Sequence, residues 1–283
     1  MARPLRIEFP GALYHITARG NEKNKIFFQK SDMNDFLNIL CRVTKRYHLI
    51  LHSYCLMHNH YHLLVETPEG NLSRGMRQLN GVYTQHINNK YKRVGHLLQG
   101  RYKSILVDKE NYLVQLSSYI ALNPVRAKLV TDPKDWLWSS YAQCIGFKKG
   151  IHCLFTDGIL AQFGSKRKVA MKAYQEYVFL DIGTESPLKQ VKGQILLGSE
   201  DFISKMDQRI KQKEKLSEIP RSQLYASRPT LDKIFQGKDK KELKIYRASL
   251  AYGYTLKKIA EFLGVHYTTV SKIIKKFENE TQK

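Results

Sequence analysis

The 283-residue sequence contains no apolar run of about 18 residues that would cross a membrane. Its start, Met-Ala-Arg-Pro-Leu-Arg-Ile-Glu, has no apolar core of signal-peptide length, so a soluble cytoplasmic protein without membrane contact is expected. Cysteine is scarce. Cys41, Cys55, Cys144 and Cys153 form no CxxC pair and resemble no small disulfide scaffold, which reads as four reduced packing residues. Gly and Pro number only 17 and 8, which excludes collagen-like and low-complexity chains. No internal repeat is visible. Acidic residues are few: 25 against 47 Lys and Arg, a net charge of +22 with a pI near 9.7. A polyanion is therefore the first partner to consider, although charge alone does not choose among DNA, RNA and an anionic membrane. What remains is an ordinary globular composition, 42% hydrophobic and 25% charged, in a chain long enough for two units.

Both halves are basic, with +10 for residues 1–146 and +12 for residues 147–283. In the first half, Leu13–Ala18 is β-prone, and Ser31-Asp32 caps an apolar-periodic helix through Phe36, Leu37, Leu40 and Val43. Residues 49–57 and 60–66 read as strands around a turn at His58-Asn59. Asn71-Leu72-Ser73 opens a second helix bearing Met76, Leu79, Val82, Tyr83 and Ile87. Gly100 to Val107 is a further strand region, and Asp108 caps a third helix running to about Asn123. This order is the split βαβ pattern of ferredoxin-like folds, an antiparallel sheet with helices on one side. The fold class is thus α+β, in three parts: a sheet domain over 1–146, a helical linker region over 147–219 whose stretch Arg209 to Lys215 reads as a solvated helix face, and an all-α domain over 220–283.

In the last part, Ile245–Tyr252 reads as a helix. A second helix follows with Ile259 and Leu263 inward, then a turn at Gly264, then a third helix turning Val270, Ile273 and Ile274 to the core. This is helix-turn-helix spacing. The last helix would expose Tyr267, Thr268, Ser271, Lys272, Lys275 and Lys276, side chains suited to phosphates and base edges in a major groove. A basic three-helix bundle with no such purpose is the competing reading.

The chemistry-bearing residues lie in two segments. In Met57-His58-Asn59-His60-Tyr61-His62-Leu63-Leu64-Val65, strand alternation points His60 and His62 to one face and Tyr61, Leu63 and Val65 to the other, apolar one. Two imidazoles on one face are a metal-ligand pair. His58 would extend the row to three, the number that suggests zinc, if the strand began two residues earlier. In Asn111–Pro124, Leu113, Leu116 and Ile120 form a buried stripe with Tyr119 and Asn123, four apart, on its flank. Pro124 should stop or kink the helix there and leave Asn123 at an accessible end.

The segments Asn59–Val65 and Tyr119-Ile120-Ala121-Leu122-Asn123-Pro124-Val125-Arg126-Ala127 resemble the single-tyrosine HUH transposases of small insertion sequences, and within them the REP-associated tyrosine transposases. The resemblance spans residues 10 to about 145. It implies a ferredoxin-like sheet, a divalent cation (Mg or Mn) held by His60 and His62, Tyr119 as nucleophile, and Asn123 as the polar group completing the metal site. His58 stands where the family commonly has Pro, and Tyr61 where an aliphatic residue is usual. Relatives act as dimers with shared sites or as apparent monomers, so a homodimer is among the expectations.

The implied reaction is cleavage of single-stranded or hairpin DNA through a 5′-phosphotyrosine intermediate and rejoining by strand transfer. The helix-turn-helix would add duplex recognition. Arg74, Arg77, Lys90, Lys92, Arg93 and Arg101 are the basic residues available to the single strand. Two other readings are a non-catalytic DNA-binding regulator on the same scaffold and an HUH nickase of replication or conjugation.

Overall fold

In the computed structural model, residues 7–211, 227–236 and 239–281 are described. The expected stretches 212–219 and 220–226 therefore lie outside the described residues. The chain folds into two compact units, one of residues 6–191 and 195–199, the other containing 192–194 and 200–283.

The first unit is built on strands β1 (Ala12–Arg19), β2 (Ile50–Met57), β3 (His60–Thr67) and β4 (Lys103–Val107), with helices α1 (Lys30–Arg46), α2 (Leu72–Lys90) and α3 (Lys109–Ala121). The strand order is β2-β3-β1-β4, all antiparallel, as the ferredoxin-like pattern requires. A two-residue β5 (Leu196–Leu197) adds parallel to β4, so the sheet is mixed at that edge. Helices lie on both faces, not on one. Tyr61 points to the side of α1 and α2, its ring 4.8 Å from Phe36 and its hydroxyl donating to Asn80. The opposite face meets α3, whose Leu113, Leu116 and Ile120 are buried. Hence β1, β2 and β3 are buried at nearly every position and do not alternate between buried and exposed.

The start of α1 differs from expectation in its residues. Gln29 is the N-cap and Asp32 the third helical residue, where it accepts from the backbone of Phe28 and Gln29 at 2.8 and 2.9 Å. The Asp32 carboxylate also accepts from Lys90 at 2.7 Å and from the Tyr91 hydroxyl. Asn71 does precede α2, but its side chain donates to Tyr47 O and does not cap the helix.

The boundary expected at residue 146 falls inside the first unit, because the segment covering the β2 edge runs through it, from Trp138 to Phe155, and the other edge is covered from further along the chain. Along β2, Leu56 N donates to Trp138 O, Ser140 N to Tyr54 O and Phe155 N to Leu51 O. Helix α4 (Arg167–Leu180) buries Ala170, Tyr174 and Val178. At the other edge Leu106 N donates to Ile195 O and Asp108 N to Leu197 O. Open edges present unpaired backbone groups, and these segments satisfy them. The reading of all four cysteines as reduced is also corrected: Cys41 on α1 and Cys153 form a disulfide with Cα atoms 5.3 Å apart, and Cys55 and Cys144 are the buried free thiols.

The second unit holds α5 (Glu200–Lys211), α6 (Leu231–Gln236), α7 (Lys241–Tyr246) continued by a π-helical turn over Arg247–Ala251, α8 (Leu256–Leu263) and α9 (Tyr267–Thr281). In α5 the expected solvated face is interrupted by Ile210, which is buried. Ile245, Ala248, Ile259, Ala260, Val270 and Ile274 form the core of the last three helices, with Leu263 and Ile273 partly buried against it. Thr255 caps α8, accepting from Lys258 N, and Gly264 ends it at φ 65°, a left-handed conformation that favours glycine. Among the described residues no helix is long and apolar enough to cross a membrane.

Asp32 ties the start of α1 to the end of α2. Burial raises its pKa, but hydrogen bonds from Lys90, Gln29, Phe28 and Tyr91 outweigh this and hold it below the usual carboxylate range. Asp32→Ala should cost about 2–3 kcal/mol by orphaning the Phe28 and Gln29 backbone donors and removing one of the two carboxylates paired with Lys90, read as a lower urea midpoint at pH 7. Because the folded pKa is depressed, the contribution is present above the unfolded value near 4. The gap between wild type and variant should close as pH falls through the lower folded value.

Candidate active site

Strand β3 sets His60 and His62 on the α3 side of the sheet. The register pairs them with Arg19 and Thr17 of β1, which places Thr17, Arg19 and His15 on that same face. Asn59 Nδ2 donates to Lys23 O at 2.9 Å, which turns its Oδ1 toward His60 Nδ1 at 2.6 Å. His60 therefore carries its proton on Nδ1 and keeps Nε2 as a lone pair. His62 Nδ1 is 3.0 Å from Nε2 of the buried His15. Burial and then Arg19 lower His60 to about 4, and burial alone lowers His15 to about 4. His62 falls well below its usual value through burial, His15, His60 and Arg19. All three imidazoles are neutral near pH 7, the form that binds a metal.

Helix α3 supplies the facing side. It ends at Ala121, and a single helical turn, Asn123–Arg126, follows with Pro124 in its first turn. Pro124 has no N–H to give to Ile120 O. Asn123 Nδ2 compensates, donating to Tyr119 O at 3.0 Å and to Ile120 O at 3.4 Å, so Oδ1 is the atom Asn123 has left to offer. Arg126 donates from Nη1 to Tyr119 O at 3.0 Å and lays its guanidinium 4.8 Å from the Tyr119 ring centre. The Tyr119 ring stands edge-on to His62 at 6.2 Å and to His15 at 6.1 Å.

His60, His62, Tyr119 and Asn123 line one cavity of about 440 Å³. Its wall also holds Arg19, Arg101 and Lys103, a cationic set suited to a phosphate. The loop before β4 is fastened to the end of β1 by Gln99 N to Arg19 O and to the turn after it by Asn21 N to Leu97 O, which brings Arg101 to the cavity. Among the described residues, no group of three or more His, Cys, Asp or Glu is arranged to hold a metal. A cation here would rest on His60 Nε2, His62 Nε2 and Asn123 Oδ1, a neutral donor set that fits a divalent ion with water completing its shell.

Of the sequence-derived residues, Arg101 joins the cavity. Arg74 and Arg77 line a separate depression on α2 beside Tyr47. Lys90 is ion-paired with Asp32 and Asp35, and Arg93 lies over the Phe28 ring, so both are engaged within the fold. His58 is exposed against the Trp136 ring, 5.5 Å away, and does not extend the histidine row. Sequence reading missed Arg19, Lys103 and His15. Strand alternation through β1 marks Arg19 and His15 as face-sharers, but their pairing with His60 and His62 depends on a register that spacing does not give. In the second unit Tyr267, Thr268, Lys272, Lys275 and Lys276 are exposed on α9 and Ser271 is half-buried. Thr268 Oγ1 is 2.8 Å from His266 Nδ1.

Residues 9–123 match the family described as IS200-like transposase, and residues 238–282 match a homeodomain-like family. The chain thus carries an IS200-like transposase domain and a C-terminal homeodomain-like helix-turn-helix domain. Among individual relatives, a Haemophilus influenzae protein named "Putative REP-associated tyrosine transposase" is 25% identical over 143 residues, covering 46% of this chain and 80% of that one. A solved REP-associated tyrosine transposase bound to a REP hairpin aligns with a TM-score of 0.46 and 17% identity over 52% of this chain and 86% of that one.

The burial of the histidine row is open to direct measurement. An imidazole NMR titration should place the His60 midpoint near 4, well below the 6.5 of an exposed histidine. A midpoint near 6.5 would mean that water reaches the ring freely.

Proposed function

We propose that this protein is a DNA strand transferase in which Tyr119 cuts and rejoins single-stranded or hairpin DNA. The observation that carries the reading is the meeting of a tyrosine on α3 with two neutral, cavity-facing histidines on β3, inside a wall of three cations. The IS200-like family match to residues 9–123 supports the same class of chemistry.

Arg19, Arg101 and Lys103 bind the strand's phosphate, whose charge they offset. Arg126 fixes the backbone and ring of Tyr119, so that its hydroxyl is presented to the phosphorus with little loss of freedom. Attack by Tyr119 Oη forms the Tyr–O–P bond and breaks the bond from phosphorus to the 3′ oxygen. The proton released from the phenol is made good on the leaving 3′ oxygen through solvent. The products are a 5′-phosphotyrosine and a free 3′-OH, and the reverse attack by a 3′-OH restores both the phosphodiester and Tyr119. A Mg or Mn ion held by His60, His62 and Asn123 would supply Lewis-acid polarisation of the phosphate oxygen. The helix-turn-helix unit would hold duplex DNA through Tyr267, Thr268, Ser271, Lys272 and Lys275 on α9.

Incubated with a hairpin-bearing single-stranded oligonucleotide and Mg or Mn, the full chain should form a covalent adduct visible on denaturing gels. Tyr119→Phe should abolish the adduct while leaving affinity within a few-fold. His60→Ala should lower its rate by at least about 10²-fold. Adducts persisting in Tyr119→Phe would sink the assignment of the nucleophile, and wild-type cleavage in excess chelator would sink that of the cation.

Duplex binding has a separate test. In Lys272→Ala/Lys275→Ala the slope of log affinity against log salt for duplex DNA should fall by about 2, with adduct yield on saturating oligonucleotide unchanged. An unaltered slope would remove α9 from the duplex contact.

A further inference from the structure

Behind the cavity, in contact with both halves of the site but lining neither, lies His15 of β1. It is fully buried, and its Nε2 meets His62 Nδ1 at 3.0 Å. The two ring planes lie within 5° of each other with centres 5.2 Å apart, so the rings meet edge to edge along the N–N contact, and the Tyr119 ring lies 6.1 Å away, nearly perpendicular to His15. His15 Nδ1 is buried with no hydrogen-bond partner among the described residues, so the one polar contact of this side chain is with His62.

A hydrogen bond between two neutral imidazoles has a direction: one nitrogen holds the proton and the other a lone pair. If His15 donated, His62 would accept at Nδ1 and carry its own proton on Nε2, the nitrogen left for the cavity. No cation binds a protonated nitrogen. If His62 donates, its Nε2 is a lone pair, and the His15 proton lies on Nδ1. One contact thus sets two tautomers together. The positive charge of Arg19 acts on His62 from the cavity side and disfavours an N–H dipole pointing toward it, which selects the second arrangement.

We propose that His15 is the positioning residue of the cation site: it accepts the Nδ1 proton of His62, fixes the orientation of that ring through this in-plane hydrogen bond, and so holds His62 Nε2 as an electron pair facing the cavity. This rests on the cation reading above, and extends it to a residue that does not touch the cavity. Outer partners of metal-bound histidines ordinarily work through a carboxylate or backbone carbonyl. Here a second histidine takes that place, with its remaining N–H left unpaired in the interior. A cation on His62 offsets that cost.

The test uses the full chain and Mn alone, with free Mn read by electron paramagnetic resonance and no DNA present. His15→Phe keeps an aromatic ring against His62 and Tyr119 but removes the acceptor, and its Mn affinity should fall about 10- to 100-fold. His15→Gln, which restores an acceptor, should recover most of that loss. Two-bond 1H–15N spectra of the metal-free wild type should show the His62 proton on Nδ1. Unchanged affinity in His15→Phe, or a His62 proton on Nε2, overturns the proposal. If wild type binds no Mn, the cation reading fails by itself, and the wild-type spectrum still decides the direction of the hydrogen bond. It decides likewise if His15→Phe does not fold.

Discussion

The site depends on covering the second face of the sheet with α3. β3 is an interior strand with helices on both sides, yet four of its positions on the α3 face are His60, His62, Leu64 and Glu66. Polar groups under a helix are costly unless paired, and each is paired: His60 with Asn59, His62 with His15, Glu66 with His52 and Lys109. The Glu66 partners also orient the helix. Lys109 is the first residue of α3, and its Nζ reaches both Glu66 oxygens at 2.8 Å, so the helix starts over one end of the row. Thirteen residues of α3 then carry the chain to Tyr119 and Asn123 over the other end, where the histidines are. Burial raises the Glu66 pKa, but Lys109 and His52 outweigh it and hold the group ionised.

Covering that face also explains why the sheet unit is longer than its motifs. A sheet of four antiparallel strands leaves β2 and β4 open, and β2 is irregular, its register shifting between Leu51 and Ser53. Residues 138–155 close the first edge and 195–197 the second. The Cys41–Cys153 bond ties the segment beside β2 to α1. Ser199 completes the arrangement by donating from N and Oγ to Asp108, the N-cap of α3. Residues far along the chain therefore hold both the edges and the start of the helix that bears Tyr119.

What could be read in advance follows from the range of each interaction. Helical and strand periods are local, and Phe36, Leu79, Leu116 and Ile259 are all buried as their spacing requires. The pairing of His60 with His62 on one face and of Tyr119 with Asn123 on one flank is equally local, and the cavity contains all four. Arg19, Lys103 and His15 reach the site through strand register and the Asn21–Leu97 and Gln99–Arg19 loop contacts, which no spacing within a segment encodes. The disulfide spans 112 residues and the β4–β5 pairing about 90, so both depend on tertiary closure and both lay beyond local pattern. Charge misleads in the same way: Lys90 and Arg74 count equally in a net +22, yet one neutralises Asp32 and Asp35 while the other faces a surface depression.

The end of α3 shows how a constraint on the backbone becomes one on chemistry. Pro124 leaves Ile120 O without its usual donor, and the Asn123 carboxamide folds back to serve it and Tyr119 O. A carboxamide is otherwise ambiguous, offering either a donor or an acceptor to a ligand. Here the NH₂ is occupied by the helix, so only the oxygen remains for the cavity. Arg126 binds Tyr119 O as well, which gathers the loose carbonyls at the helix end under two fixed donors. Asn59 does the same for His60: its NH₂ is held by Lys23 O, so its oxygen must take the imidazole proton. In both places an amide whose donor end is committed to backbone determines that a lone pair, not a proton, faces the same 440 Å³ of space. These lone pairs attract donors or positive charge and repel a bare acceptor, while Arg19, Arg101 and Lys103 in the same wall supply the donors that a phosphate oxygen needs.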